Sequence, residues 1–82
     1  MITDKWGEAA AGNIEAWANR IIHAIDASAE ASVYHDPDSS TYVLRLARGS
    51  RVLLFRLSEA QVYAPEREAE CEKTLKTKLK NL

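Results

Sequence analysis

The chain has 82 residues, which permits one small domain (residues 1–82) around one small core. Its 11 lysines and arginines against 12 aspartates and glutamates leave a net charge of −1, so no global field draws it to DNA, RNA or an anionic membrane. A single cysteine, Cys71, excludes an intramolecular disulfide, the start Met1-Ile2-Thr3-Asp4 lacks the basic and apolar parts of a signal peptide, and no window is apolar over the length of a bilayer; the expectation is a cytoplasmic protein.

The first third has helical periodicity. Trp6, Ala10, Ile14, Trp17, Ile21 and Ile25 recur at spacings of three and four, which lays them on one stripe. Glu15, Asn19, His23 and Asp26 fall on the opposite, solvent side. Thr3 is the candidate cap, with Asp4 in the first turn where the helix dipole favours an acid. The stripe predicts one helix from about Asp4 to Ser28. Gly12-Asn13 weakens its middle, and an alternative with Asn13 capping a second, shorter helix stays open.

The middle third changes period. "ASVYHD", "TYVLRLA" and "RVLLFRL" read as strands, separated by the turns "PDSS" and "RGS". Gly49-Ser50 suits a two-residue type II′ hairpin, in which glycine takes the positive-φ position. With that pair at the tip, Arg48 faces Arg51, Leu46 faces Leu53, Leu44 faces Phe55 and Tyr42 faces Leu57. The inner pairs are all apolar and share one face, whereas a slip of one residue would scatter them over both. The other face is chequered, with Val43, Arg45 and Ala47 beside Val52, Leu54 and Arg56. A four-residue loop from Pro37 to Ser40 places Val33 on the Leu44 face and Tyr34 on the chequered face; a loop of odd length reverses them.

The last third returns to helix. Ser58 with Gln61 forms a capping box for a single turn. Pro65 interrupts that turn and is placed to open a longer helix. Cys71, Leu75, Leu79 and Leu82 give this helix a narrow apolar stripe. Glutamates crowd its start and lysines its end, which suits the dipole, and Glu72 with Lys76 adds an i,i+4 pair.

The fold class is therefore α+β. The order is α-β-β-β-α, a three-stranded antiparallel meander with both helices packed on one face. That order resembles the double-stranded RNA-binding domains. The family holds phosphates largely through a basic cluster at the start of its second helix. The matching stretch here, "PEREAECEK", is mostly acid, so the resemblance extends to topology and carries over no binding residue.

The sequence contains no motif that fixes a reaction or a ligand. Asp36, Asp38 and Ser40 alternate like the opening of a calcium loop, but Thr41 stands where the glycine belongs and Ala47 where the closing acid belongs. His23 and His35 have no cysteine or histidine at zinc spacing. Cys71 lies on a buried stripe between Glu70 and Glu72, where burial and nearby acids both disfavour a thiolate. No serine has a histidine placed to activate it, and there is no glycine-rich phosphate loop.

What remains is the chequered face, too apolar for an ordinary solvent face and rich in arginine, as protein interfaces are. The expectation is a non-enzymatic protein-interaction domain, without metal or cofactor, using Val43, Arg45, Val52, Leu54 and Arg56. A two-fold homodimer is the simplest use of one such patch. The competing expectation is a nucleic-acid binder using Arg45, Arg48, Arg51 and Arg56. The shortage of aromatics on which bases could stack argues against it, and Arg48 and Arg51, flanking the glycine turn, read as a solvated tip.

Overall fold

In the computed structural model, which describes residues 2–82, helix α1 spans Gly7–Ile25 without a break at Gly12-Asn13. Met1, the first residue of the start read above, lies outside the described residues. The helix begins later than its periodicity predicts. Trp6 is extended and Gly7 has φ +61, a left-handed turn that a helix running on from Asp4 would not allow. Thr3 is not the cap. It is buried, and its hydroxyl oxygen accepts the Lys5 N–H and the Asn13 side-chain amide, clipping the leading segment onto the helix. The buried stripe is also rotated from the expected one. It runs through Ala10, Ala11, Ile14, Trp17, Ala18 and Ile22, while Trp6 and Ile25 are exposed and Ile21 is half-buried.

Strands β1 (Ala29–Asp36), β2 (Thr41–Arg48) and β3 (Arg51–Ser58) form one antiparallel sheet in the order β1-β2-β3. The second hairpin has the predicted register, from Arg48 opposite Arg51 to Tyr42 opposite Leu57. Gly49 has φ +62 while Ser50 is not left-handed, as a type II′ turn requires. The first hairpin pairs Asp36 with Thr41, so its loop has the even length that puts Val33 opposite Leu44 and Tyr34 opposite Val43. Ser40 closes that loop at φ +53.

The capping box at Ser58 and Gln61 opens a short helix, α2 (Glu59–Tyr63), with both reciprocal bonds made. Pro65 begins a 3-10 turn (Pro65–Arg67), and helix α3 follows over Glu68–Lys80. Its stripe of Cys71, Leu75 and Leu79, continued by Leu82, is buried, and Lys76 meets Glu72 at 2.8 Å. The helices cover Tyr42, Leu44, Leu46, Phe55 and Leu57 and leave the opposite face of the sheet open. The protein is thus α+β with a meander sheet. No helix among the described residues is long and apolar enough to cross a membrane.

Polar residues of α1 do structural work that its periodicity hides. Glu8 accepts the His35 N–H at 3.3 Å, and Glu15 accepts the Val33 N–H at 3.0 Å. Asn19 bonds both backbone groups of Ala31. Residues 8, 15 and 19 share a helix face, and residues 31, 33 and 35 are the alternate positions whose amides point away from β2. Glu15 and Asn19 therefore do not face solvent; they close the outer edge of β1.

Candidate interaction surface

The uncovered face combines positions of all three strands, and its apolar character rises toward β3. On β1 it carries Glu30, Ser32 and Tyr34, the last 51% exposed. On β3 it carries Val52, 50% exposed, and Leu54, 59% exposed. Val43 departs from the expected accessible set. It is only 2% exposed, enclosed between its cross-strand neighbours Tyr34 and Arg56, and can support a contact only from beneath. Tyr34 takes its place at the surface.

The structure divides the four arginines of the second hairpin between two faces. Arg45 and Arg56 lie on the open face, and Arg48 and Arg51 on the helix side. Arg56 does not project freely. One nitrogen donates to Asp36 at 2.9 Å, to Ser39 at 3.2 Å and to Thr41 at 2.9 Å. The Arg56 bond, followed by that of Ser39, holds the Asp36 carboxyl below the usual carboxylate range. Asp36 thus serves the fold, gripping Arg56 and also accepting the Asp38 N–H.

Arg48 corrects the expectation of a solvated tip. It donates to Asp26 at 2.9 Å and to the Leu82 carbonyl at 2.7 Å, tying the hairpin to the end of α1 and the end of α3. Arg51 is more exposed and reaches the same carbonyl at 3.4 Å. Hydrogen bonds from Ser28 and Arg48 lower the Asp26 carboxyl to about 2. Arg45 alone of the four has no hydrogen bond or ion pair among the described residues.

The two edges of the sheet differ. The Glu59 N–H bonds the Ser40 carbonyl at 3.0 Å, which fixes the alternation of the β2-β3 ladder. Residues 51, 53, 55 and 57 then bond β2, and residues 52, 54, 56 and 58 point outward. The Ser58 N–H is taken by Gln61. Those of Val52, Leu54 and Arg56 have no partner among the described residues. Two shallow grooves follow this edge. One is lined by Arg51, Val52, Leu53, Asn81 and Leu82, the other by Tyr34, Val43, Leu54, Phe55, Arg56 and Lys78. The periodicity reading did not identify the edge or Lys78, and it placed Tyr34 on this face only for a first loop of even length. A signal for the edge was present, because β3 comes last in a meander and must have a free side.

A second polar cluster lies where α2 joins the sheet. His35 Nε2 meets Glu59 Oε2 at 2.6 Å, and its ring lies 4.9 Å from that of Tyr42. The Tyr42 and Tyr63 hydroxyls bond each other, and Trp6 stacks on Tyr63 with centroids 3.9 Å apart. Tyr42 is fully buried, and burial followed by the Tyr63 bond raises its phenol above the ordinary range. Neither groove along β3 reaches this cluster, and its contacts fasten α2 and the leading segment to the sheet. Cys71 is also fully buried, and burial followed by Glu70 raises its thiol. Among the described residues, no group of three or more histidine, cysteine, aspartate or glutamate side chains could hold a metal ion.

No known protein family, curated protein or solved structure matches the chain.

Proposed function

We propose that the chain is a small non-enzymatic protein-interaction domain, working in the cytoplasm without a cofactor, whose contact surface is the β3 side of the open sheet face. The observation that carries this reading is the grouping of exposed Val52 and Leu54 beside Arg45, a cation with no partner among the described residues. Aliphatic surface joined to an arginine and a tyrosine is characteristic of interface centres. Tyr34 and the stem of Arg56 extend the patch, with Val43 beneath. A two-fold homodimer is its simplest use, since one patch then serves both partners.

The arrangement of the arginines weighs against nucleic acid. Arg48 and Arg51 lie on the other side of the sheet from Arg45 and Arg56, and Arg48 and Arg56 are engaged by carboxylates. A phosphate backbone would meet one free arginine, not a stripe.

Solution mass and one substitution test the reading. Leu54 is exposed, so Leu54→Asp should leave the core folded while weakening self-association or partner capture by at least tenfold, about 1.4 kcal/mol. Contact that persists undiminished in this variant would remove the face from consideration. Salt-sensitive binding of labelled RNA or DNA by the wild type would instead favour the arginines as phosphate contacts.

A further inference from the structure

We propose that β3 is a self-pairing edge, through which two copies of this chain join antiparallel about a two-fold axis at Leu54 to make one continuous sheet. This rests on the reading of the chain as an interaction domain and narrows the contact from the sheet face to its border.

The edges of the sheet are treated differently. On β1 the outward amides of Ala31, Val33 and His35 are each bonded by an α1 side chain, so no second strand can add there. On β3 the outward amides of Val52, Leu54 and Arg56 are bare of any partner among the described residues, and the side chains of Val52 and Leu54 are the most exposed aliphatics of the sheet. Unpaired backbone and exposed apolar side chains coincide on one strand. The ligand such a strand accepts is another extended strand, which supplies donors and acceptors at the same two-residue period.

The pattern of β3 identifies a second copy as that strand. With Leu54 opposite its own counterpart, Val52 faces Arg56, Leu53 faces Phe55 and Arg51 faces Leu57 of the other copy. All three bare amides then find partners at once. Leu54 meets Leu54 on the open face, and Leu53 meets Phe55 on the helix face, where both grooves leave the edge accessible. No like charges are placed directly opposite each other. Arg56 is already neutralised by Asp36 and turned back across the sheet. Lys78 borders the groove beside Phe55, and its flexible stem lets the ammonium stay in water. Edge pairing leaves Arg45, on the middle strand, exposed to solvent.

Light scattering over a concentration series, with amide exchange followed by NMR, tests the edge. The expected result is a mass rising to twice that of the monomer. Exchange at Val52, Leu54 and Arg56 should slow by roughly tenfold or more as the dimer forms. The amides of Ala31, Val33 and His35 should show no such dependence. Leu54→Pro removes an N–H that points away from β2, so the hairpin keeps its bonds, and the variant should be monomeric. Val52→Lys places a charge on the same edge and should also give a monomer, which preserves the test if proline prevents folding. A dimer whose three amides exchange as fast as in dilute solution overturns the edge and leaves the interaction face standing, whereas a dimer that survives a folded variant overturns both the edge and the face. A wild type that stays monomeric at millimolar concentration overturns the dimer by either route.

Discussion

Asn19 and Ala31 exchange two hydrogen bonds, the side-chain oxygen accepting the Ala31 N–H at 2.9 Å and the side-chain amide donating to the Ala31 carbonyl at 3.1 Å. The carboxamide thus imitates the peptide group that a neighbouring strand would offer. Asn19→Leu should destabilise the protein by about 1–3 kcal/mol, because it strips both partners from a buried residue. Urea titration measures the loss. Asn19→Asp, which keeps the acceptor and loses the donor, should fall between the two. Equal stability of wild type and Asn19→Leu would show that the edge needs no clamp.

The sheet was legible in the sequence because its determinants are local. Gly49-Ser50 fixes the turn, and the alternation from Tyr42 to Leu57 admits one register. The face of α1 was less legible, because a spacing of three and four fits more than one stripe. The stripe drawn through Trp6 and Ile25 lost to its neighbour through Ala18 and Ile22, whose small alanine lets the helix approach closely. Glu15 and Asn19 looked like solvent positions, since periodicity says nothing of partners brought up by the fold. The same holds for Arg48, whose partners Asp26 and Leu82 lie far from it along the chain. At the candidate surface, Val52, Leu54 and Arg45 were readable from strand parity alone. Burial of Val43 depends on how Tyr34 and Arg56 fold over it, which parity does not encode.

Gly12 stands at an exposed position inside α1, and a Cβ built there meets nothing within 4 Å. Its φ is not positive, so no conformational need holds glycine at this site. Gly12→Ala should therefore raise stability by about 0.5–1 kcal/mol, chiefly by reducing the freedom of the unfolded chain. Thermal and urea unfolding should both move in this direction. A decrease would mean that something packs against this surface in solution.

The Asp26 carboxyl is held at about 2, below its ordinary 3.8, by hydrogen bonds from Ser28 and then Arg48. A lowered folded-state value means that the unfolded chain takes up this proton first. The group therefore contributes stability above 3.8 and loses it as the pH falls toward 2. Asp36 acts in the same sense through Arg56. Wild type should be more stable than Asp26→Asn near neutrality, and the difference should shrink between those two pH values. A difference that stays constant across the acid range would show that Asp26 is not coupled to Arg48 in solution.

Tyr42 governs the alkaline side. Its ring is wholly buried, and its hydroxyl is bonded to that of Tyr63. Burial and the Tyr63 bond both favour the neutral phenol, while the Gly7 backbone N–H beside it pulls the other way. The folded-state value is therefore raised, and the unfolded chain gives up this proton first. The contribution is complete below the ordinary 10.0 and is lost as the pH rises past it. Phenolate absorbance during alkaline titration should show Tyr42 ionising only as the protein unfolds. Tyr42→Phe should abolish that delayed step and flatten the alkaline loss of stability. It should also cost about 1–2 kcal/mol at neutral pH, since the Tyr63 hydroxyl loses its partner at the junction of α2 with the sheet. A Tyr42 that ionises while the protein is still folded would place its hydroxyl in water.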